Sequence, residues 1–153
     1  QGDLKALGKD IFTYFGLGCR NVSKVYFPKG YDLNTFFEGI EEFNEVQHHH
    51  KYNNNYDYNK SIYLVNNEKH LDNGFLLLKE SQDLVSPISV LFYEYYDNDN
   101  TLVDILSERK DKIQCIVSKN RDWDNSLPFG QAQSPKLNDY ADNVDTMKFI
   151  ESL

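Results

Sequence analysis

The sequence predicts an α/β fold with an open, mostly parallel sheet and helices on both of its faces. Val90–Tyr96 is almost continuously apolar or aromatic, which is typical of a strand that is covered on both sides. Ile113–Val117 is the next buried strand, and the apolar spacing between the two predicts a helix over Thr101–Arg109. Strand, helix and strand joined by short connections indicate a parallel sheet with right-handed crossovers.

The first part of the chain predicts the same alternation of helix and strand. Apolar residues recur at three- and four-residue spacing over Asp3–Phe15, which predicts a helix that ends at Gly16. Val22–Phe27 is rich in β-branched and aromatic residues and predicts a strand, followed by a turn at Pro28–Gly30. A second helix is expected over Asp32–Phe43, because its first residue is a good N-cap. This order begins a βαβ unit.

The middle of the chain predicts a loop followed by a hairpin-like pair of strands. Gln47–Lys60 has neither a helical nor a strand period, which predicts a loop. Ser61–Val65 and Phe75–Leu78 are short apolar runs that predict strands. The turn signals Asn66-Asn67 and Asp72-Asn73-Gly74 lie between them.

A single domain is expected for these 153 residues, because the chain has no internal repeat and no linker. The tail is rich in Pro, Gly and Gln from Leu127 to Asn138, and a closing helix is predicted over Tyr140–Ile150. The chain begins without Met and directly on a helical pattern. We therefore expect residues 1–153 to be one domain of a longer protein.

Charge and composition exclude several classes of function. The net charge of −8 repels nucleic acid and anionic membranes. No stretch approaches the roughly 20 apolar residues that span a bilayer, and the first residues do not resemble a signal peptide. The cysteines, Cys19 and Cys115, lie far apart in unlike contexts, which favours a reducing compartment over a disulfide framework. We expect a cytoplasmic protein with no nucleic-acid partner and no membrane span.

The most informative short stretch surrounds Cys19. Glycines precede this cysteine, and two cations, Arg20 and Lys24, follow it. Nearby positive charge stabilises an ionised sulfur, and glycines let a carbonyl approach the Cys19 backbone N–H as an oxyanion site requires. The alternative is a small buried cysteine in a tight turn. Cys115, inside a predicted strand, is expected to be inert core.

The stretch Phe12–Cys19 resembles the nucleophile motif of the aldehyde dehydrogenase superfamily, Phe-x-x-x-Gly-Gln-x-Cys. Leu17 stands where the motif usually has Gln, which is more similar to the LuxC-type acyl-CoA reductases of that superfamily. The resemblance implies a fold like the aldehyde dehydrogenase catalytic domain, with Cys19 as the catalytic nucleophile. Arg20 and Lys24 would give supporting electrostatics.

Two further stretches resemble motifs of the same superfamily, in the same order. Asp83–Ile88 looks like its Glu-x-Phe-Gly-Pro-Val segment, which implies cofactor-binding roles for Asp83 and Pro87, with Glu80 competing for the acidic position. Leu127–Ser134 resembles its Pro-Phe-Gly-Gly segment. This second likeness implies that Phe129 and Gly130 line the substrate tunnel.

The activity implied by the resemblance is the reduction of an acyl thioester to an aldehyde through an S-acyl cysteine. The donor would be a fatty acyl-CoA or an acyl-carrier thioester, as in fatty acid metabolism, and NADPH would give the hydride. NADPH would bind mainly to an N-terminal domain that is absent from this chain. We therefore expect residues 1–153 to have little or no reductase activity alone. A homo-oligomer is a further implication of the resemblance.

Two alternatives stay open from the sequence. One is a non-catalytic α/β interaction module, in which Cys19 is structural and the aromatic stretch Tyr52–Tyr58 binds another protein. The other is a dehydrogenase of the same superfamily that oxidises aldehydes. Three adjacent histidines, His48–His50, cannot all face one metal ion from a regular element, so no metal site is predicted.

Overall fold

The computed structural model describes residues 2–119, 123, 126–137, 139–140 and 144–153. In these residues the helices are Gly2–Phe12 (α1), Leu33–Ile40 (α2), His50–Val65 (α3), Asp99–Glu108 (α4) and Thr146–Glu151 (α5). The strands are Lys24–Pro28 (β1), Leu71–Asp72 (β2), Leu77–Glu80 (β3), Val90–Tyr96 (β4), Ile116–Val117 (β5) and Ser126–Leu127 (β6). Segments of 3-10 helix are Thr13–Gly16, Glu41–His48 and Lys110–Lys112.

The main sheet has four strands in the order β1-β4-β3-β2 among the described residues. Strand β4 is central and runs parallel to both β1 and β3, whereas β2 pairs antiparallel with β3 at the edge. Strands β5 and β6 form a separate parallel pair. The predicted class, a mixed α/β protein with an open and mostly parallel sheet, is confirmed.

Helices cover the main sheet on both faces, because neighbouring strand residues point to opposite sides. On one face Leu78 and Leu91 belong to a core that contains Phe36 and Ile40 of α2. On the other face a second cluster is formed by strand residues and tyrosines of α3: Leu77, Val90, Phe92, Tyr56 and Tyr63. A parallel sheet needs such cover, since both of its faces are apolar.

Most of the predicted regular elements are confirmed with small changes at their ends. The confirmed elements are α1, β1, α2, β4 and α4. The side chain of Asp32 caps α2 by accepting a hydrogen bond from the Asn34 N–H at 2.9 Å. The predicted closing helix is present as α5. Asn138 and residues 141–143, which also belong to the predicted tail, lie outside the described residues.

The loop predicted over Gln47–Lys60 and the strand predicted over Ser61–Val65 are wrong, because this region forms helix α3. Its buried residues recur at spacings of four, three and four: Tyr52, Tyr56, Asn59 and Tyr63. The apolar face of α3 is therefore made of tyrosine rings and one amide rather than of aliphatic residues. The N-terminus of α3 is capped by His49, whose Nδ1 accepts a hydrogen bond from the Tyr52 N–H at 3.3 Å.

The predicted hairpin is present, but its first strand is β2 rather than Ser61–Val65. Gly74 supplies the left-handed turn residue, with φ +97°. Asp72 fixes this hairpin to α3, because its carboxylate accepts a hydrogen bond from the Tyr56 hydroxyl at 2.6 Å and pairs with the Lys60 ammonium at 2.7 Å.

The predicted strand Ile113–Val117 is too long, and the expected crossover through α4 is wrong. Only Ile116–Val117 is a strand, and it pairs with β6 outside the main sheet. The whole segment is only partly buried, so it lacks the cover that a central parallel strand requires. The parallel neighbours β3 and β4 are joined by residues 81–89, which contain no helix.

The ion pair of Asp72 makes the stability of the fold depend on pH. Burial raises the pKa of the Asp72 carboxyl, but Lys60, Tyr56 and the Gly74 N–H together lower it below its usual value. The stabilisation is therefore present above the unfolded-state pKa and is lost as the pH falls through the lower folded-state pKa. We expect Asp72→Asn to reduce the free energy of unfolding at pH 7 by about 1–2 kcal/mol.

Urea unfolding between pH 7 and pH 2.5 measures this effect. The difference between wild type and Asp72→Asn should shrink below about pH 4, where the unfolded carboxyl is protonated. Asp57→Asn, at an exposed position of α3, is the matched control and should differ little from wild type. A deficit in Asp72→Asn that stays constant across the whole pH range would contradict the assignment.

Candidate functional site

Cys19 lies exposed in a tight turn between α1 and β1. The Asn21 N–H donates to the Gly18 carbonyl at 3.0 Å, so Cys19 and Arg20 are the two central residues of this turn. Cys19 is therefore not the small buried cysteine that the sequence left open as an alternative.

The chain reaches this turn through a strained reversal. Tyr14, Phe15 and Gly16 follow one another with φ values of +58°, +58° and +71°. Left-handed backbone costs a residue other than glycine roughly 1–2 kcal/mol. The Phe15 ring stacks on the His49 ring with 3.7 Å between centroids and 9° between planes. The first turn of α3 therefore supports the strained segment.

Asn21 is a second unfavourable feature of this region, because its Oδ1 is buried and finds no hydrogen-bond partner among the described residues. A Cβ atom on Gly16 would stand only 3.6 Å from the Asn21 amide. Positive φ at bulky residues and unsatisfied buried polar atoms are both rare in folded proteins and concentrate at functional sites. Here both lie within five residues of Cys19.

The segment 129–133 packs against the Cys19 turn. The Gln133 side-chain amide donates to the Arg20 carbonyl at 2.8 Å. Its Oε1 lies so near Gly18 that an added Cβ would come within 2.6 Å of it. Phe129 packs on the main core, and Gly130 adopts φ +82° in the same segment. The structure thus brings Gln133 against the neighbours of Cys19, whereas Phe129 packs on the core and Gly130 lies against Ala6 and Asp10 of α1.

Asp10 of α1 holds this segment in place. Its side chain is 1% exposed, and its two carboxylate oxygens accept hydrogen bonds from the Gly130 N–H at 2.6 Å and the Ala132 N–H at 2.9 Å. Burial raises the pKa of the Asp10 carboxyl, and the two backbone donors oppose that shift.

The neighbourhood of Arg20 also includes the other cysteine. The Arg20 guanidinium lies 3.7 Å from Asp139 Oδ2. Burial raises the pKa of the Cys115 thiol, although the Arg20 cation acts in the opposite direction. The expected place of Cys115 in a buried strand is wrong, because Cys115 is only half-buried and lies just before β5. Its raised pKa keeps the sulfur mainly a neutral thiol at pH 7.

Lys24 directs its ammonium group into the segment 81–89. Only 6% of its side chain is exposed, and its Nζ lies 2.6 Å from Glu94 Oε2. The same ammonium donates to the carbonyl oxygens of Ser81 and, at 3.1 Å, Asp83. Burial lowers the pKa of Lys24, and the Glu94 carboxylate opposes this shift. Lys24 therefore anchors the segment that carries Asp83.

Arg109 completes this cluster from the end of α4. Its Nη1 donates to Glu94 Oε2 at 3.2 Å, to the Tyr26 hydroxyl at 3.0 Å and to the Gln82 carbonyl at 3.1 Å. The segment 81–89, which joins β3 to β4, is thus bound by two cations through its backbone carbonyls.

The segment 81–89 also reaches the residues that follow Cys19. The Ser23 hydroxyl donates to the Leu84 carbonyl at 2.7 Å. Asp83 and Pro87 are both exposed, and the Asp83 carboxylate accepts a hydrogen bond from the Ser81 hydroxyl at 3.3 Å. Glu80, the competing acidic residue, is exposed at the end of β3. The Asp83 carboxylate is therefore open to a ligand.

Sequence reasoning did not identify Asp10, Glu94, Arg109 or Gln133. Two of them leave a signal in the sequence. Asp10 shares a helix face with Leu7, and Glu94 is the charged residue of an otherwise apolar or aromatic strand. Charges at such positions are costly unless they are paired. Arg109 and Gln133 leave no comparable signal.

No family model, no curated protein and no solved structure matches this chain. In the described part of the chain, no helix is long and apolar enough to cross a membrane. Within the same residues, no group of three or more His, Cys, Asp or Glu side chains is arranged to hold a metal ion. His48 pairs instead with Glu45 at 3.6 Å.

The different surroundings of the two cysteines predict selective alkylation. At pH 7.5, iodoacetamide should modify Cys19 about tenfold or more faster than Cys115, because Cys115 is half-buried and its pKa is raised. Peptide mass spectrometry over a time course measures both rates in one sample. The rate ratio should fall as the pH rises and Cys115 begins to ionise. Equal rates at pH 7.5 would contradict the assigned environments.

The buried ammonium of Lys24 predicts a large stability effect. Lys24→Met keeps the volume but leaves Glu94 and two loop carbonyls short of a partner, and should cost about 3 kcal/mol. Lys29→Met is the matched control, since the Lys29 pair with Asp97 is exposed and should be worth less than about 0.5 kcal/mol. Urea unfolding of both variants compares them. Similar losses of unfolding free energy in the two variants would contradict the anchoring role of Lys24.

Proposed function

We propose that this chain is the nucleophile-bearing domain of a LuxC-type fatty acyl-CoA reductase of the aldehyde dehydrogenase superfamily. The observation that carries the proposal is that two distant stretches contact the short segment 18–23, which contains the exposed Cys19. Segment 129–133 contacts it through Gln133, which donates to the Arg20 carbonyl, and segment 81–89 contacts it through Leu84, whose carbonyl accepts from the Ser23 hydroxyl. These are the stretches that resemble the superfamily's tunnel, cofactor and nucleophile motifs.

The local chemistry supports an attack by the Cys19 sulfur on a thioester carbonyl. A new S–C bond forms as the C–S bond to coenzyme A breaks, and the leaving thiolate takes up a proton. An acyl group then remains on Cys19 as a thioester. The resemblance implies that the Cys19 backbone N–H would hold the oxyanion that develops on the substrate carbonyl.

NADPH, when bound, would supply a hydride to the S-acyl carbonyl carbon, and the oxyanion so formed would expel the Cys19 thiolate and leave the aldehyde. This chain offers one fitting contact for it, the exposed Asp83 carboxylate, which can accept hydrogen bonds from ribose hydroxyls. Lys24 and Arg109 hold the backbone of that segment. The remaining contacts would come from the proposed N-terminal cofactor domain.

The alternative of a non-catalytic binding module loses its main support. The aromatic stretch that would bind a partner is part of helix α3, where the Tyr52 and Tyr56 rings are buried in the protein. Tyr58 is the exposed ring of that stretch. Aldehyde oxidation would use the same Cys19 and is separated from reduction by the experiment below.

The test is acyl transfer to the natural, full-length protein. Incubation with a saturated long-chain acyl-CoA should give one added acyl group, mapped to Cys19 by mass spectrometry and removed by hydroxylamine. Cys19→Ala should reduce the rate of this modification by on the order of 100-fold or more, because the nucleophile is gone. Cys115→Ala, the matched control, should react as wild type does.

Addition of NADPH should then release the fatty aldehyde and free thiol. Acyl transfer that is unchanged in Cys19→Ala, or that occurs equally on Cys115, would overturn the proposal. Oxidation of aldehyde with NADP⁺ without acyl transfer from coenzyme A would instead support the dehydrogenase alternative.

A further inference from the structure

Asp10 is a buried carboxylate with an uncommon set of partners. It lies on α1 beside Leu7 and Ile11, which belong to the main core. Among the residues that the structure describes, its carboxylate oxygens accept hydrogen bonds from two backbone N–H groups, those of residues 130 and 132, and from no side-chain cation. Two donors that converge on one carboxylate fix the path of the backbone between them.

Further hydrogen bonds connect Asp10, through Gln133, to the turn that carries Cys19. The Asp10 backbone carbonyl accepts a hydrogen bond from Gln133 Nε2 at 3.5 Å, and the same amide donates to the Arg20 carbonyl. Gln133 also fills the space above Gly18. One helix residue is thereby connected through residues 130–133 to both neighbours of Cys19 in the chain.

A carboxylate is the side chain that suits this position. Both N–H groups need an acceptor, and each Asp10 oxygen serves one of them. An asparagine of the same size would turn its NH₂ group towards one of these donors and lose that bond. An alanine would leave both donors buried without a partner, which is costly.

We propose that Asp10 is a positioning residue that fixes residues 130–133 as a wall beside Cys19, along the route that a long acyl chain takes to the sulfur. This inference rests on the proposed function. The inference predicts selectivity by acyl-chain length. A long acyl chain contacts residues 130–133 on its way to the sulfur, whereas an acetyl group or iodoacetamide reaches the sulfur without contacting them.

The experiment compares wild type, Asp10→Asn and the control Asp3→Asn in the full-length protein. Asp3 lies on the same helix, is exposed, and pairs with Lys119 at 3.1 Å. Rates of Cys19 acylation are measured with a long-chain acyl-CoA and with acetyl-CoA, and the rate of alkylation is measured with iodoacetamide. Amide exchange at Gly130 and Ala132, together with near-ultraviolet circular dichroism, reports the segment and the fold.

In Asp10→Asn we expect the ratio of long-chain to acetyl transfer to fall about fivefold or more, because the wall is displaced. Alkylation of Cys19 should stay within about twofold of wild type, and exchange at Gly130 and Ala132 should accelerate. Asp3→Asn should change none of these. Gln133→Ala, which leaves Asp10 intact, should lower the same ratio in the same direction.

Two results would overturn the inference while leaving the proposed function intact. One is an unchanged ratio of long-chain to acetyl transfer in Asp10→Asn. The other is an equal loss of both transfers together with alkylation, as expected from a general loss of structure. A wild-type protein that accepts no acyl group on Cys19 overturns the proposed function and the inference with it.

Discussion

The parallel pairing of β4 with both β1 and β3 is the constraint on which the rest of the structure depends. A strand in that position is buried on both sides, so helices must cover the sheet above and below. The pairing also places Glu94, a charged residue, directly opposite Tyr26 of β1. The cations Lys24 and Arg109 then gather around Glu94, and they bind the segment that leads into β4.

A buried carboxylate, Asp10, and a partly buried one, Glu94, therefore perform the same physical task at different places. Glu94 gathers cations that hold the backbone carbonyls of segment 81–89, and Asp10 holds the backbone N–H groups of residues 130 and 132. In a low-dielectric interior such bonds are strong, and their loss leaves polar groups without partners. These bonds attach two irregular segments, 81–89 and 130–132, to the regular elements of the fold.

Periodicity was sufficient where apolar residues alone formed a face. Helices α1, α2 and α4 and strands β1 and β4 follow from it, with errors of a few residues at their ends. Helix α3 could not be predicted in this way, because its buried face consists of Tyr52, Tyr56, Asn59 and Tyr63. Asn, Asp and Gly are also turn formers, so local preference suggested a loop until packing against the sheet decided otherwise.

The exposed turn that carries Cys19 leaves a signal in the sequence, because glycines and cations flank Cys19 within a few positions. Its supporting residues could not be predicted, since the contact between Asp10 and Gly130 spans 120 positions of the chain and no local pattern encodes it. The position of Lys24 illustrates the same limit. Proximity in sequence suggested a role beside the sulfur, whereas the fold directs its ammonium to Glu94 and to segment 81–89.

The contact between Asp10 and Gly130 also sets the order in which the protein can be completed on the ribosome. Gly130 is synthesised 120 residues after Asp10, which at 5–20 residues per second is roughly 6–24 s later. During that interval α1 carries a carboxylate whose partners do not yet exist. The Cys19 turn of a nascent chain therefore lacks its contacts with Gln133 until most of the chain has been made, and truncated products would carry the exposed thiol without those contacts.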